Sequence, residues 1–120
     1  MKNQVCIVTG ANSGIGEETA LSLAKLGATV ILLCRNYERG NIALKNIISE
    51  SNNKNVELML CDLSSQNSIF DFTSKFKNKY DRLNVLINNA GILLNKRTIS
   101  VDGIENTFAI NHLGPFILTN

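Results

Sequence analysis

Apolar segments of two different periods alternate along this chain. Val5-Cys6-Ile7-Val8 is a short unbroken apolar run, the pattern of a strand buried on both faces. Ile15, Ala20, Leu21, Leu23, Ala24 and Leu26 then recur at helical spacing, and Gly27 stands where such a helix ends. Ala28 to Cys34 reads as a second buried strand. Ile42, Leu44, Ile47 and Ile48 mark a second helix, closed by the polar stretch 49–55. Val56 to Cys61 is a third strand, after which Ser64 or Ser65 caps a helix carrying the stripe Ile69, Phe72, Phe76 and Tyr80. Leu83 to Ile87 is a fourth strand, running into Asn88-Asn89-Ala90-Gly91. A polar loop leads to a last helix from Asp102 onward with Ile104, Phe108, Leu113 and Phe116 on its apolar side.

Strand–helix alternation at this spacing predicts an α/β fold built from right-handed βαβ units. The expected architecture is a Rossmann-type doubly wound parallel sheet cut to four strands, in the order 3-2-1-4, with helices on both faces. With 120 residues there is room for one domain with its own core and not for two. Hydrophobic residues at 44% and charged residues at 18% exclude disorder. A net charge of +2 is too weak to indicate nucleic acid or a membrane surface as partner, and Lys75, Lys77 and Lys79 read as the solvated side of a helix. Cys6, Cys34 and Cys61 form no C-x-x-C and have no histidine cluster beside them, so no metal or redox site is expected. They read as buried thiols of a reducing compartment. The N-terminus passes straight into a strand without a signal peptide, and no apolar run approaches the ~20 residues of a membrane span, so the expected address is cytoplasmic.

The stretch IVTGANSGIGEETALSL, residues 7–23, places Gly10, Gly14 and Gly16 between a strand and a helix. In a parallel sheet the first such turn is where a pyrophosphate meets a helix N-terminus. Gly10 would permit the sharp turn, Gly14 would clear a side chain from the backbone N–H groups, and Gly16 would let the helix approach the sheet. The spacing T-G-x-x-x-G-x-G is neither G-x-G-x-x-G nor a Walker A loop. On this motif alone, a tight turn without a ligand and a dinucleotide loop both stand.

Four motifs in order, TGANSGIG (9–16), CDL (61–63), NNAG (88–91) and NTFAINHLGPFILT (106–119), resemble the short-chain dehydrogenase/reductase family over the whole chain. LLCRN, the Arg35 position and NKRTISVDGIENTFAINHLGPFILT are most similar to its retinol-dehydrogenase-like members, and especially to the dehydrogenase/reductase member twelve group. The resemblance implies that residues 1–120 are the N-terminal part of a single NAD(P)-binding domain. It implies that Thr9, Gly10, Asn12, Ser13, Gly14, Ile15 and Gly16 form the cofactor loop, and that Asp62 and Leu63 meet the adenine. Asn88, Asn89, Ala90 and Gly91 would line the adenine-ribose side, with Asn89 also tying the central strands together. Asn111 corresponds to the catalytic asparagine that holds a water in a proton relay. A homo-oligomer, paired partly through the last helix, is also implied.

Each residue has a plainer reading beside this one. Asp62 serves equally as a helix N-cap, and Asn88 to Gly91 are ordinary turn residues. His112, the sole histidine, reads as a bystander. Pro115 stands four residues after Asn111, where its ring would free the Asn111 carbonyl. Arg35 closes the second strand, where an NAD site usually carries an acid for the ribose hydroxyls, and no carboxylate follows until Glu38. Unless it is a plain surface residue, its planar donor fork suits a 2′-phosphate, so NADP(H) is preferred over NAD(H). The missing acid also argues against a methyltransferase on the same layout.

The family's chemistry needs a Tyr-x-x-x-Lys pair and a serine. Tyr37 is followed four residues on by Asn41, and Tyr80 by Asn84. The resemblance stops before the fifth strand, inside an element at Asn120. The expectation is therefore the N-terminal cofactor-binding portion of an NADP(H)-dependent oxidoreductase interconverting a carbonyl and an alcohol, inactive alone, with an apolar sheet edge beside Leu83–Ile87 left open. The alternative is a non-catalytic nucleotide-binding or interaction protein on the same fold.

Overall fold

The structure, a computed structural model, describes residues 3–10, 14–88, 93–95 and 99–100. In chain order its elements are β1 (Val5–Thr9), α1 (Gly14–Lys25), β2 (Thr29–Cys34), α2 (Tyr37–Ser51), β3 (Val56–Leu60), α3 (Gln66–Lys79), β4 (Arg82–Leu83), β5 (Val85–Asn88), β6 (Leu93–Asn95) and β7 (Ile99–Ser100). The main sheet has the order β3-β2-β1-β5-β6. Its first four members are parallel, so the order expected as 3-2-1-4 is present with β5 as the fourth strand. The helix expected from Asp102 lies outside the described residues. Among the described residues, no helix is long and apolar enough to cross a membrane.

Alternation along the strands divides the core between the two faces of this sheet. Val30, Leu32 and Cys34 of β2 join Cys6, Val8, Ala20, Ala24 and Ile47 under α1 and α2. Ile31 and Leu33 point the other way, with Ile7, onto Ile69, Phe72 and Phe76 of α3. Both faces of β1 and β2 are thereby closed, which is why these strands read as continuous apolar runs. The α3 stripe is as expected: Phe72 and Phe76 lie 5.9 Å apart between ring centroids, and Phe76 and Tyr80 lie 5.0 Å apart.

Three details differ from the pattern read along the chain. The buried side of α1 is Gly16, Ala20 and Ala24, and that of α2 is Gly40, Ala43 and Ile47. Ile15, Leu26 and Ile42 are exposed; small residues bring both helices close to the sheet and leave no depth for these larger ones. The fourth strand is broken at Asn84, whose side-chain oxygen accepts the Val5 N–H at 2.9 Å while its own N–H donates to the Val5 carbonyl at 2.9 Å. Finally, the β5 edge is not bare. Leu93–Asn95, read as loop, returns antiparallel along Leu86–Asn88, giving part of the β5 backbone a partner.

Polar side chains finish the helix ends. The αL residue Asn52 closes α2, with its N–H donating to the Ile48 carbonyl. Asn53 then reaches back, its Nδ2 donating to the carbonyls of Ala24 at 3.0 Å and Ala28 at 2.8 Å. One side chain thus ties the α2–β3 connection to the end of α1. On the other face, Glu57 of β3 accepts from Lys79 Nζ at 2.7 Å and from the Tyr80 phenol at 2.9 Å. Lys75, Lys77 and Lys79 are exposed as expected.

Two consequences are measurable. Asn53→Ala should lower stability in urea unfolding by about 2 kcal/mol, two hydrogen bonds at roughly 1 kcal/mol each, and Asn53→Asp by more, because a carboxylate would face two carbonyls. Burial, the Glu57 hydrogen bond and the Glu57 charge together push the Tyr80 phenol up to about 12. A pKa raised on folding gives stability that is complete below the unfolded value near 10 and is lost as pH rises through about 12. Denaturation across that window should show this loss in the native chain and not in Tyr80→Phe.

Candidate functional site

Parallel pairing brings the strands to an end on the same side of the sheet. Thr9 stands opposite Leu33 on one side and Asn88 on the other, and Cys34 stands opposite Leu60. The segments leaving these ends converge on a cleft of about 580 Å³. Gly10 enters it from β1; Cys34, Arg35 and Asn36 from β2; Arg39 from the first turn of α2; and Cys61, Asp62, Leu63 and Ser64 from β3. Ligands of open α/β sheets bind in this position, outside the carboxyl ends of the strands.

Gly10 turns the chain off β1 at φ 61°, a left-handed conformation suited to glycine, with its N–H donating to the Leu33 carbonyl at 3.1 Å. Thr9 behind it is buried, and its hydroxyl reaches the Ile87 carbonyl at 3.4 Å. Gly14 starts α1 at φ 45°, and among the described residues a Cβ there would meet nothing within 4 Å, an open approach to the helix. Gly16 is buried at the head of the small-residue face.

Of the residues singled out in the sequence, the structure gathers Gly10, Arg35, Asp62 and Leu63 into one cleft. Thr9 and Gly16 are buried, and Asn88 ends β5 beside Thr9. Gly14 and Ile15 border a different hollow with Glu17, Glu18, Leu21 and Glu50. Asn12, Ser13, Asn89, Ala90, Gly91 and Asn111, with His112 and Pro115, lie outside the described residues.

Asp62 is not the cap of α3. Ser65 takes that role, its hydroxyl accepting the Ser68 N–H at 3.2 Å. Asp62 forms its own turn one step earlier: Oδ1 accepts the Ser64 N–H at 2.9 Å and the Ser64 hydroxyl at 2.6 Å. Its backbone N–H donates to Ser68 Oγ at 2.8 Å.

Arg35 and Arg39 are both exposed and line the same cleft. Arg39, Asn36 and Ser64 are cleft residues that the motifs did not indicate. Arg39 reaches the cleft because α2 starts directly after the cap at Asn36, so its first turn stands at the end of β2. Asn36 is that cap, its Oδ1 accepting the Arg39 N–H at 3.0 Å. Among the described lining residues, Asp62 is the one acid.

Cys6, Cys34 and Cys61 are buried thiols without a disulfide, as expected. Burial raises the Cys61 thiol; the Ser68 hydrogen bond opposes this and the Asp62 charge adds to it. Burial likewise pushes Cys6 up to about 11. Both shifts favour the neutral thiol over the reactive thiolate.

The model of the family described as short chain dehydrogenase matches residues 4–120. The chain is 50% identical over 113 residues to dehydrogenase/reductase SDR family member 12 of Bos taurus, covering 94% of this chain and 35% of that protein. Against retinol dehydrogenase 13 of Homo sapiens it is 46% identical over 114 residues, covering 95% of this chain and 34% of that one. It spans about a third of the length of these relatives. Among solved structures, a variant of actinorhodin polyketide ketoreductase with NADPH superposes with a TM-score of 0.67 at 34% identity, covering 76% of this chain and 35% of that one. With the parallel sheet, the strand-end cleft and a family match running from residue 4 to residue 120, the chain belongs to the short-chain dehydrogenase/reductase family.

Proposed function

We propose that this chain is the cofactor-binding part of an NADP(H)-dependent oxidoreductase that interconverts a carbonyl and an alcohol. The observation that carries this reading is that two arginines, Arg35 and Arg39, and one acid, Asp62, line a single cleft at the strand ends. Paired planar donor forks suit a ribose 2′-phosphate, whereas a site for bare ribose hydroxyls calls for an acid after β2. Asp62 and Leu63 then take the adenine. The loop from Thr9 to Gly16, including Asn12 and Ser13, takes the pyrophosphate, and the open approach at Gly14 fits that role. Asn88, Asn89, Ala90 and Gly91 line the ribose side, and Asn111 acts in the proton relay. Bound NADP(H) supplies the hydride chemistry; these residues bind and orient it.

Two comparisons support the reading: a relative named a retinol dehydrogenase, and a ketoreductase structure holding NADPH. We also infer a cytoplasmic address, because three buried thiols without a disulfide fit a reducing compartment. A second reading has its own observation. Neither tyrosine of the 120 residues is followed by a lysine four positions on, which favours nucleotide binding without catalysis by these residues alone.

Calorimetric titration of the purified chain should show NADPH binding more tightly than NADH. Arg35→Ala and Arg39→Ala should each weaken NADPH about tenfold, since a hydrogen bond to a charged group is worth roughly 1.5–3 kcal/mol, and leave NADH nearly unchanged. Equal losses for the two dinucleotides would contradict the assignment of the arginines. Oxidation of NADPH by an added aldehyde or ketone should be absent with the 120-residue chain, in which no Tyr-x-x-x-Lys occurs; turnover would show that a different residue carries the proton.

A further inference from the structure

The turn between β3 and α3 is pinned more tightly than starting a helix requires. Ser65 already caps α3. Ser64, just before it, directs both its backbone N–H, at 2.9 Å, and its hydroxyl, at 2.6 Å, onto the same oxygen of Asp62. From the helix side, Ser68 Oγ holds the Asp62 N–H at 2.8 Å. The carboxylate is thus fixed through its own oxygen and through its backbone. Ser64 is exposed and packs in neither core cluster, and its side chain contributes the hydroxyl bond to Asp62.

We propose that Ser64 is a positioning residue that makes the cleft selective for adenine over hypoxanthine, by holding the Asp62 carboxylate in one place. This rests on the cofactor reading given above. A carboxylate is an acceptor only, so it pairs with the exocyclic amino group of adenine. Hypoxanthine carries a carbonyl oxygen there and has its donor on the adjacent ring nitrogen. A carboxylate free to shift can follow the donor to that nitrogen, whereas one held by Ser64 faces the carbonyl, acceptor against acceptor. Discrimination, more than affinity for adenine itself, is therefore what the Ser64 hydroxyl supplies. The arginines enter the cleft from β2 and α2, so selection at the ribose phosphate is independent of it.

The test is calorimetric titration of the 120-residue chain with three ligands: NADPH, reduced nicotinamide hypoxanthine dinucleotide phosphate, and NADH. The native chain should bind NADPH at least about tenfold more tightly than its hypoxanthine analogue, the scale of one charged hydrogen bond. Ser64→Ala should narrow that ratio to about threefold or less, mainly by improving the analogue relative to NADPH, and Ser64→Thr, which keeps the hydroxyl, should restore it. The ratio of NADPH to NADH should not move in either variant. A native ratio near unity, or an equal loss of both phosphorylated ligands in Ser64→Ala, overturns the proposal. If neither NADPH nor NADH binds the native chain, the cofactor reading itself fails and the proposal falls with it.

Discussion

Burial of β1 and β2 on both faces is the constraint from which the rest of this structure follows. Cys6, Ile7, Val8, Val30, Ile31 and Leu32 are all 0% exposed. A sheet closed on both faces needs a helical layer on each side, and parallel strands joined by crossover helices provide them. The same crossovers return each strand in the same direction, so their carboxyl ends lie together. Gly10, Arg35 and Asp62 are far apart in the chain, yet each is the first or second residue beyond a strand, and all three line one cleft. The site is a consequence of how the core is buried.

Small polar side chains handle the places where this scheme leaves backbone groups unpaired. Asn84 replaces a ladder bond where the fourth strand breaks, Asn53 joins two connections, and Asn36 and Ser65 cap helices. Each of these serves the fold. The Asp62 turn uses the same chemistry one step before a helix that Ser65 already caps. Asp62 and Ser64 both line the cleft, and in the function proposed for it these hydrogen bonds would orient the carboxylate toward a ligand group.

β1 and β2 were legible because their doubly buried stretches, residues 6–8 and 30–34, are apolar throughout. The α3 stripe was legible for a similar reason, as Ile69, Phe72 and Phe76 recur at helical spacing on the buried side, while Phe70 is exposed. The buried sides of α1 and α2 were harder to read. Hydrophobicity points to Ile15, Leu26 and Ile42, whereas close approach to the sheet selects Gly16, Ala20, Ala24 and Ala43, which carry a weak apolar signal. The return strand Leu93–Asn95 was missed because three residues show no period. At the site, the glycine spacing indicated Gly10, the family resemblance of CDL implied Asp62 and Leu63, and position at a strand end indicated Arg35. Arg39 and Ser64 belong to the cleft only once α2 and the β3–α3 turn are placed, and the double bond from Ser64 to Asp62 leaves no trace in residue order.

The central claim is that the strand-end cleft, and not another surface, receives the phosphorylated adenosine end of the cofactor. Its most direct test is amide chemical-shift mapping of the isotope-labelled chain titrated with adenosine 2′,5′-bisphosphate, a ligand without nicotinamide. The account predicts saturable shifts at Gly10, Arg35, Asn36, Arg39, Asp62, Leu63 and Ser64. Shifts confined to residues away from the strand ends and the glycine loop, such as Leu21 and Glu50, or none that saturate, would contradict it.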